Sequence, residues 1–178
     1  MSLETIKQKI RTIPDWPKPG IMFRDVTSLL RDPAGFQLTM DILFEKYKDS
    51  GIEAVAGIEA RGFIFGAALA DRLKVGFIPI RKKGKLPGNT LSQDYALEYG
   101  TDTIEIHTED ISKDLNVLLV DDLLATGGTA LGAAALLGKC QAKIHEACFI
   151  VNLPDLGGAK SLSEQGINAH WLVEFEGD

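Results

Sequence analysis

The chain has 178 residues, of which 45% are apolar and 25% charged, and its formal net charge is −6. This length fits a single domain, residues 1–178, that is large enough to bury a core. The acidic balance argues against a nucleic-acid partner, because phosphate contacts need a basic face. No apolar stretch reaches the roughly 18 residues of a membrane span, and the first residues do not resemble a signal peptide. We therefore expect a cytoplasmic protein with neither a nucleic-acid nor a membrane partner.

The N-terminal segment begins with a short helical pattern and continues into a proline-rich stretch. Three prolines lie between Pro14 and Pro19, which excludes a helix and favours an extended path. Asp32 followed by Pro33 predicts a helix start, since Asp caps free N–H groups and proline suits the first turn. Apolar residues then recur at helical spacing as far as Tyr47. We place the division between the N-terminal segment and the core at about residues 1–32 and 33–178.

Beyond residue 50, short apolar strands alternate with helical segments. The predicted strands are residues 54–58, 77–80, 103–107, 117–120 and 147–153, and the predicted helices are residues 62–73 and 127–140. A polar stretch from Arg81 to Gln93 has no periodicity, which predicts a functional loop. The alternation predicts an α/β fold with a parallel sheet covered on both faces. In such sheets, ligands bind beyond the carboxyl ends of the strands.

The most informative segment is VLLVDDLLATGGT, residues 117–129. Its apolar start predicts a buried strand that carries Asp121 and Asp122 to its exit. The turn that follows is small, bears hydroxyls and opens a helix; its residues are Ala125, Thr126, Gly127, Gly128 and Thr129. Such a turn brings backbone N–H groups and a helix N-terminus close to a phosphate. The two acids repel phosphate but suit sugar hydroxyls or the water shell of Mg²⁺, so the segment predicts a site for a phosphorylated sugar.

Positive charge follows two of the predicted strands. Arg61 lies just after the strand at 54–58, beside an unfavourable helix dipole, which indicates a contact with an anionic ligand such as pyrophosphate. The segment RKKGKLPG, residues 81–88, has four cations within five residues, among them Arg81, Lys82 and Lys85. In an acidic protein, this cluster indicates a site for a polyanion rather than a solvated charge run.

The segment VLLVDDLLATGGTA resembles the motif of the type I phosphoribosyltransferases. Three other segments resemble the adenine-specific members of that family: PDWPKPGIMFRDVTSLL (14–30), RKKGKLPG (81–88) and LEYG (97–100). The resemblance runs from about Pro14 to the last strand. It implies a central, mostly parallel sheet flanked by helices, a small N-terminal hood at about residues 1–32 and a mobile loop at 81–99. It also implies the conversion of adenine and 5-phosphoribosyl-1-pyrophosphate (PRPP) to AMP and pyrophosphate with Mg²⁺, and a homodimer.

The resemblance also implies a role for each matching residue. The turn, Ala125, Thr126, Gly127, Gly128 and Thr129, would hold the 5-phosphate, with Asp121 and Asp122 on the ribose hydroxyls. The pyrophosphate and the rest of PRPP would be met by Arg61, Arg81, Lys82, Lys85 and Tyr99. The purine would lie against Met22, Phe23 and Arg24, with Glu98 acting on the proton at N7. Predicted catalytic residues are thus Glu98, Arg61, Asp121 and Asp122, and Mg²⁺ would bind mainly through substrate, with no direct protein ligand.

Two other functions fit parts of the sequence. One is a phosphoribosyltransferase for hypoxanthine or xanthine, against which the LEYG element and the hood argue. The other is a non-catalytic regulator that senses PRPP, against which the acidic charge and the lack of an added domain argue. The sequence departs from the family pattern at Asn152, where Glu is common, and at Ala159, where Arg is common. Both departures concern the region beside the purine and leave the phosphate motif intact.

Overall fold

The computed structural model describes residues 2–97 and 100–177. Its N-terminal part contains helix α1 (Leu3–Gln8), strands β1 (Arg11–Pro14) and β2 (Met22–Asp25), and helices α2 (Thr27–Arg31) and α3 (Pro33–Tyr47). The antiparallel β1–β2 pair forms a small sheet of its own. The predicted start of α3 is confirmed: the Asp32 carboxylate accepts a 2.7 Å hydrogen bond from the Gly35 backbone N–H, and Pro33 is the first helical residue.

The core is a seven-stranded sheet within the described part of the chain. Its elements in chain order are β3 (Ala54–Ile58), α4 (Arg61–Leu73), β4 (Gly76–Lys82), β5 (Thr90–Leu97), β6 (Gly100–His107), β7 (Asn116–Leu124), α5 (Gly128–Lys139), β8 (Lys143–Asn152), α6 (Gly158–Glu164) and β9 (Ala169–Glu174), with a short 3₁₀ helix at Pro154–Leu156. The strand order is β5-β6-β4-β3-β7-β8-β9. The neighbours β4–β3, β3–β7, β7–β8 and β8–β9 pair in parallel, whereas β6 pairs antiparallel with both β4 and β5. The predicted fold class is confirmed.

Helices cover both faces of this sheet, because alternate strand residues bury apolar side chains on opposite sides. On one face, residues such as Leu118 and Ile150 pack against the helices that precede β4. On the other face, residues such as Leu119 and Phe149 pack against α5 and α6. Of the two free thiols, Cys148 is buried and Cys140 is half-buried. Among the described residues, no helix has the length and apolar composition needed to cross a membrane.

Three predicted boundaries were wrong, because backbone pairing extends strands beyond the apolar residues that predicted them. The prediction of a loop over 81–93 fails at both ends: β4 continues to Lys82, and β5 begins at Thr90 and pairs with β6 along its length. The β5–β6 pairs are mostly polar, such as Asp94 with Thr103, so periodicity alone could not identify them. Similarly, β7 runs through both acids to Leu124, where it is still paired with Asn152 of β8.

Candidate active site

The exits of four adjacent parallel strands lie along one edge of the sheet and carry most of the predicted site residues. Arg61 follows β3, and Arg81 and Lys82 end β4. The turn at 125–129 follows β7, and the 3₁₀ helix follows β8. Because β4, β3, β7 and β8 are neighbours in that order, residues far apart in sequence meet at this edge.

The turn after β7 has the backbone geometry that the motif predicted. Gly127 has φ +87°, a left-handed conformation that favours glycine, and α5 begins at the next residue. The turn lines a cavity of about 100 Å³ together with Asp121, and with Ala96 and Leu97 of β5. The Gly158 N–H donates a 3.0 Å hydrogen bond to the Ala125 carbonyl, so the start of α6 supports the turn from behind. The arrangement leaves a helix N-terminus facing an open pocket.

The two acids at the end of β7 differ in their partners. The Asp122 carboxylate, with 7% of its side chain exposed, forms a 2.6 Å ion pair with the Arg61 Nε. Burial opposes the charge on Arg61, but the neighbouring carboxylates, Asp122 first among them, together outweigh burial and raise the pKa of the guanidinium. Burial, followed by repulsion from Asp122, raises the pKa of Asp121 well above its ordinary value. The site therefore contains one carboxylate, Asp122, in an ion pair, and a second, Asp121, whose charge is unfavourable without a ligand to compensate it.

A close approach of α4 to β7 makes this pairing possible. A Cβ atom on Gly62 would lie 2.9 Å from both the Asp121 Oδ1 and the Val120 carbonyl oxygen. Glycine after Arg61 therefore lets the helix start reach the acid pair. Our sequence reasoning missed this role of Gly62, although its position beside a predicted ligand-binding arginine was a signal.

Three of the predicted purine-binding residues, Met22, Phe23 and Arg24, line a second cleft of about 300 Å³. It is bounded by Ile21, Met22, Phe23, Arg24, Arg61, Leu123, Ala125, Leu153 and Leu156. The ring of Phe23 packs edge-on against Trp16, with centroids 4.6 Å apart, and Phe23 lies beside the cleft rather than in the core. The Arg24 guanidinium donates to the Thr12 hydroxyl and the Glu176 carbonyl, so these two contacts fix the position of its side chain.

The basic segment is paired with carboxylates that the sequence interpretation overlooked. Arg81 forms a 3.0 Å ion pair with Glu59, and Lys82 forms a 2.8 Å ion pair with Asp102. The Lys82 N–H also donates to Glu59, whereas the Lys85 side chain is exposed. Arg81 and Lys82 are therefore not the free polyanion site that the charge run indicated, and a polyanion would have to compete with these partners. Their contact with PRPP, and that of Lys85, stays a prediction.

Some predicted residues lie outside this geometry. Glu98 and Tyr99 are not among the described residues, and their roles stay predictions. Asn152 is 1% exposed and donates to Glu174, while its Oδ1 has no hydrogen-bond partner in the described part of the chain. Asn152 lines neither of the two cavities, so its effect on base binding would be indirect. Ala159 lies in the first turn of α6, next to Gly158, which supports the turn at 125–129.

No group of three or more His, Cys, Asp or Glu side chains converges on a possible metal position within residues 2–97 and 100–177. Asp121 and Asp122 nevertheless have the hard oxygen atoms that a hydrated Mg²⁺ accepts as outer partners. The residues present are thus compatible with a Mg²⁺ ion that would enter the site bound to a substrate.

Comparison with known proteins identifies the family of this fold and site. Residues 25–173 match the model of the phosphoribosyl transferase domain. An adenine phosphoribosyltransferase from Leptospira biflexa is 57% identical over 176 residues, covering 98% of this chain and 99% of that protein. One from Shewanella woodyi is 55% identical over 177 residues, covering 99% of this chain and 98% of that protein.

Solved structures give the same result. The crystal structure of adenine phosphoribosyltransferase from Thermoanaerobacter pseudethanolicus superimposes with a TM-score of 0.93 at 45% identity, covering 98% of this chain and all of that one. The Saccharomyces cerevisiae enzyme, complexed with adenine and an imino-altritol bisphosphate, has a TM-score of 0.89 at 36% identity, with coverage of 96% and 98%. With motifs, fold and relatives in agreement, this chain belongs to the adenine phosphoribosyltransferase family.

Proposed function

We propose that this chain transfers the phosphoribosyl group of PRPP to N9 of adenine, producing AMP and pyrophosphate. The observation that carries the proposal is the contact between the two cavities. The cavity at the phosphate turn and the cleft at the hood share Leu123 and Ala125, and Arg61 lines the cleft while pairing with Asp122. A largely apolar cleft for a flat base thus adjoins a site for a sugar phosphate. The relatives reported above are named for adenine, which gives the hypoxanthine, xanthine and regulator alternatives no support.

The reaction displaces pyrophosphate from C1 of the ribose, so charge grows on the leaving group while the sugar becomes cationic. In our proposal, the backbone N–H groups at 126–129 hold the 5-phosphate and fix the sugar. Asp121 and Asp122 accept hydrogen bonds from the ribose hydroxyls, and their charge favours the cationic sugar. Arg61 leaves its ion pair with Asp122 to meet pyrophosphate, with Arg81, Lys82, Lys85 and Tyr99 contributing from the segment 81–99.

On the base, we propose that the backbone at Met22, Phe23 and Arg24 meets the purine edge and that Glu98 handles the proton at N7. Burial of the reacting atoms beneath the segment 81–99 would exclude water, which otherwise hydrolyses the sugar cation. Mg²⁺ bound to PRPP would neutralise charge on the departing pyrophosphate. The carboxylates of Asp121 and Asp122 would face its water shell. A cytoplasmic location, a homodimer and a single domain with a hood at about 1–32 stay predictions.

The test is pyrophosphate release in the presence of PRPP, Mg²⁺ and one base at a time. We expect rapid release with adenine and at least about 100-fold slower release with hypoxanthine, xanthine, guanine or uracil, because a site built for one hydrogen-bonding edge rejects others strongly. Rapid release with another base would retain the sugar-phosphate site and refute the assignment of the base cleft. Tight PRPP binding with no release from any base would favour the regulator.

Replacing Glu98 with Gln should lower kcat with adenine about 100-fold, since general acid–base groups typically contribute at least that much. The amide keeps the size of the side chain but cannot exchange a proton at N7. The measurement is steady-state kcat at saturating PRPP and adenine. Glu109→Gln is the matched control, because Glu109 is an exposed glutamate. Full turnover by Glu98→Gln would remove Glu98 from the chemistry.

A further inference from the structure

A short segment after β9, residues 175–177, contacts both parts of the chain that line the cleft at the hood; we call this segment the strap. Part of the cleft is lined by residues of the hood, and another part by residues that follow β8. On the β8 side, the Phe175 N–H donates a 3.1 Å hydrogen bond to the Asn152 carbonyl. The Gly177 N–H donates at 2.8 Å to the Asp155 Oδ2. The strap is therefore fixed at two points to the segment that follows β8.

On the hood side, the strap contacts Arg24. The Arg24 Cζ lies 4.6 Å from the centroid of the Phe175 ring, and the Lys7 Nζ lies 5.1 Å from the same centroid. The Arg24 Nη2 donates at 3.2 Å to the Glu176 carbonyl, and its Nη1 donates at 2.6 Å to the Thr12 hydroxyl. Thr12 belongs to β1 and Arg24 to β2. One guanidinium thus joins the strap to both strands of the hood.

The Phe175 ring joins the hood to the cleft residues after β8 by direct packing. The ring is half-buried and packs against the same apolar cluster as Leu156, and Leu153 belongs to that cluster. The Arg24 Nε is buried and has no hydrogen-bond partner among residues 2–97 and 100–177. A guanidinium shielded from water is attracted more strongly to an aromatic face than an exposed one. The contact of Arg24 with Phe175 therefore contributes to holding the hood in place.

We propose that Phe175 and the Arg24 side chain are positioning residues for the base, because their contact fixes the hood relative to residues 153–156 and so sets the shape of the cleft. The inference rests on the proposed function, which assigns this cleft to adenine. None of the partners of the strap described above lines the cavity at the phosphate turn. Loss of the contact should therefore weaken the binding of the base and spare PRPP.

The first test is Phe175→Leu, which keeps an apolar side chain in the cluster and removes the aromatic face. A cation–π contact of a partly desolvated pair is worth about a 5-fold change in an equilibrium constant. We expect the KM for adenine to rise about 5-fold, while the KM for PRPP and kcat change less than 2-fold. An unchanged KM for adenine, or an equal rise for both substrates, would overturn the inference.

Phe36→Leu is the matched control for loss of an aromatic ring from this cluster. Phe36 is half-buried, packs against the same cluster and meets the Phe65 ring edge-on, with centroids 5.9 Å apart. It lines neither cavity. Both variants should melt at a lower temperature than the wild type, but Phe36→Leu should leave both KM values unchanged. A similar rise in the KM for adenine in Phe36→Leu would trace the effect to general destabilisation and refute the positioning role.

The second test asks whether Phe175 acts through Arg24. Arg24→Met keeps an unbranched apolar stem and removes the guanidinium, so it should raise the KM for adenine at least 5-fold. In the Arg24→Met background, Phe175→Leu should raise that KM less than 1.5-fold, since the ring then has no cation to hold. Independent, multiplicative effects of the two substitutions would refute the link between them.

Wild-type turnover in the same assay tests the proposed function separately. If the wild type uses a different base, the 5-fold rise in Phe175→Leu is expected in the KM for that base. If it uses none, calorimetric titration of the wild type and Phe175→Leu with AMP should give the same 5-fold difference in Kd. Equal Kd values would then overturn the role of the strap.

Discussion

Asp121→Asn is expected to lower kcat/KM for PRPP about 300-fold while raising the melting temperature at neutral pH. The loss of activity follows because removal of a preorganised charge at a reacting centre typically costs a factor of about 100 to 1000. The gain in stability follows because burial and the adjacent Asp122 carboxylate make the charge of Asp121 unfavourable in the folded protein. An amide in its place donates to Asp122 instead of repelling it. We expect the melting temperature to rise by a few degrees.

The pH dependence of that stability gain has a definite sign. The folded-state pKa of Asp121 lies above its unfolded value of about 4, so the folded protein binds more protons in the interval between them. Wild-type stability therefore falls, relative to Asp121→Asn, as pH rises through the folded pKa. Below about pH 4, Asp121 is protonated in both the folded and the unfolded state of the wild type. The difference in melting temperature between the wild type and Asp121→Asn should then disappear.

Both effects are measurable on one set of proteins, by pyrophosphate release at neutral pH and by thermal unfolding from about pH 3 to 8. Asp114→Asn is the control, since Asp114 forms an exposed ion pair with Lys143 and should change neither quantity appreciably. A melting temperature for Asp121→Asn at or below that of the wild type at pH 7.5 would contradict the charge penalty. An Asp121→Asn protein with the kcat/KM of the wild type would contradict the proposed contact of Asp121 with the ribose.

Gly158→Ala should lower kcat/KM for PRPP about 1000-fold, although Gly158 lies outside the phosphate turn. An added Cβ would overlap the Ala125 carbonyl oxygen and lie 2.8 Å from the Leu124 Cδ1 and 3.0 Å from the Gly127 nitrogen. The turn would have to move and lose the alignment of its N–H donors. Each charge-assisted hydrogen bond contributes about 1.5–3 kcal/mol, so the misplacement of two N–H donors would account for a loss of about 1000-fold in kcat/KM. The overlap should also destabilise the fold by about 2 kcal/mol.

Gly138→Ala is the matched substitution, because a Cβ on Gly138 near the end of α5 would meet nothing within 4 Å. It should stabilise the helix by about 0.5 kcal/mol and leave the kinetics unchanged. The measurements are KM for PRPP and the melting temperature of each variant. A Gly158→Ala protein that melts earlier but keeps wild-type kcat/KM would show that the turn does not depend on support from α6.

Features whose causes lie within a few residues were predictable from the sequence. The start of α3 needs only the Asp32 carboxylate and a proline at the next position, and the structure has both as predicted. The turn at 125–129 needs a strand, a glycine in left-handed conformation and a helix start, all within thirteen residues of sequence. Residues 90–93 of strand β5 were wrongly predicted as loop, because their polar side chains have no periodicity and pairing with β6 holds them in the sheet.

The sequence by itself determined the fold class, the turn at 125–129 and the position of the two acids, because each follows from local periodicity or local backbone geometry. Only the tertiary structure decided how these parts meet. The ion pair of Arg61 with Asp122, the contact of Gly158 with Ala125 and the contact of Tyr95 with Gly132 each join separate elements. Such contacts depend on strand order and helix placement, which arise from burial of the whole core, and no spacing along the chain encodes the resulting distances.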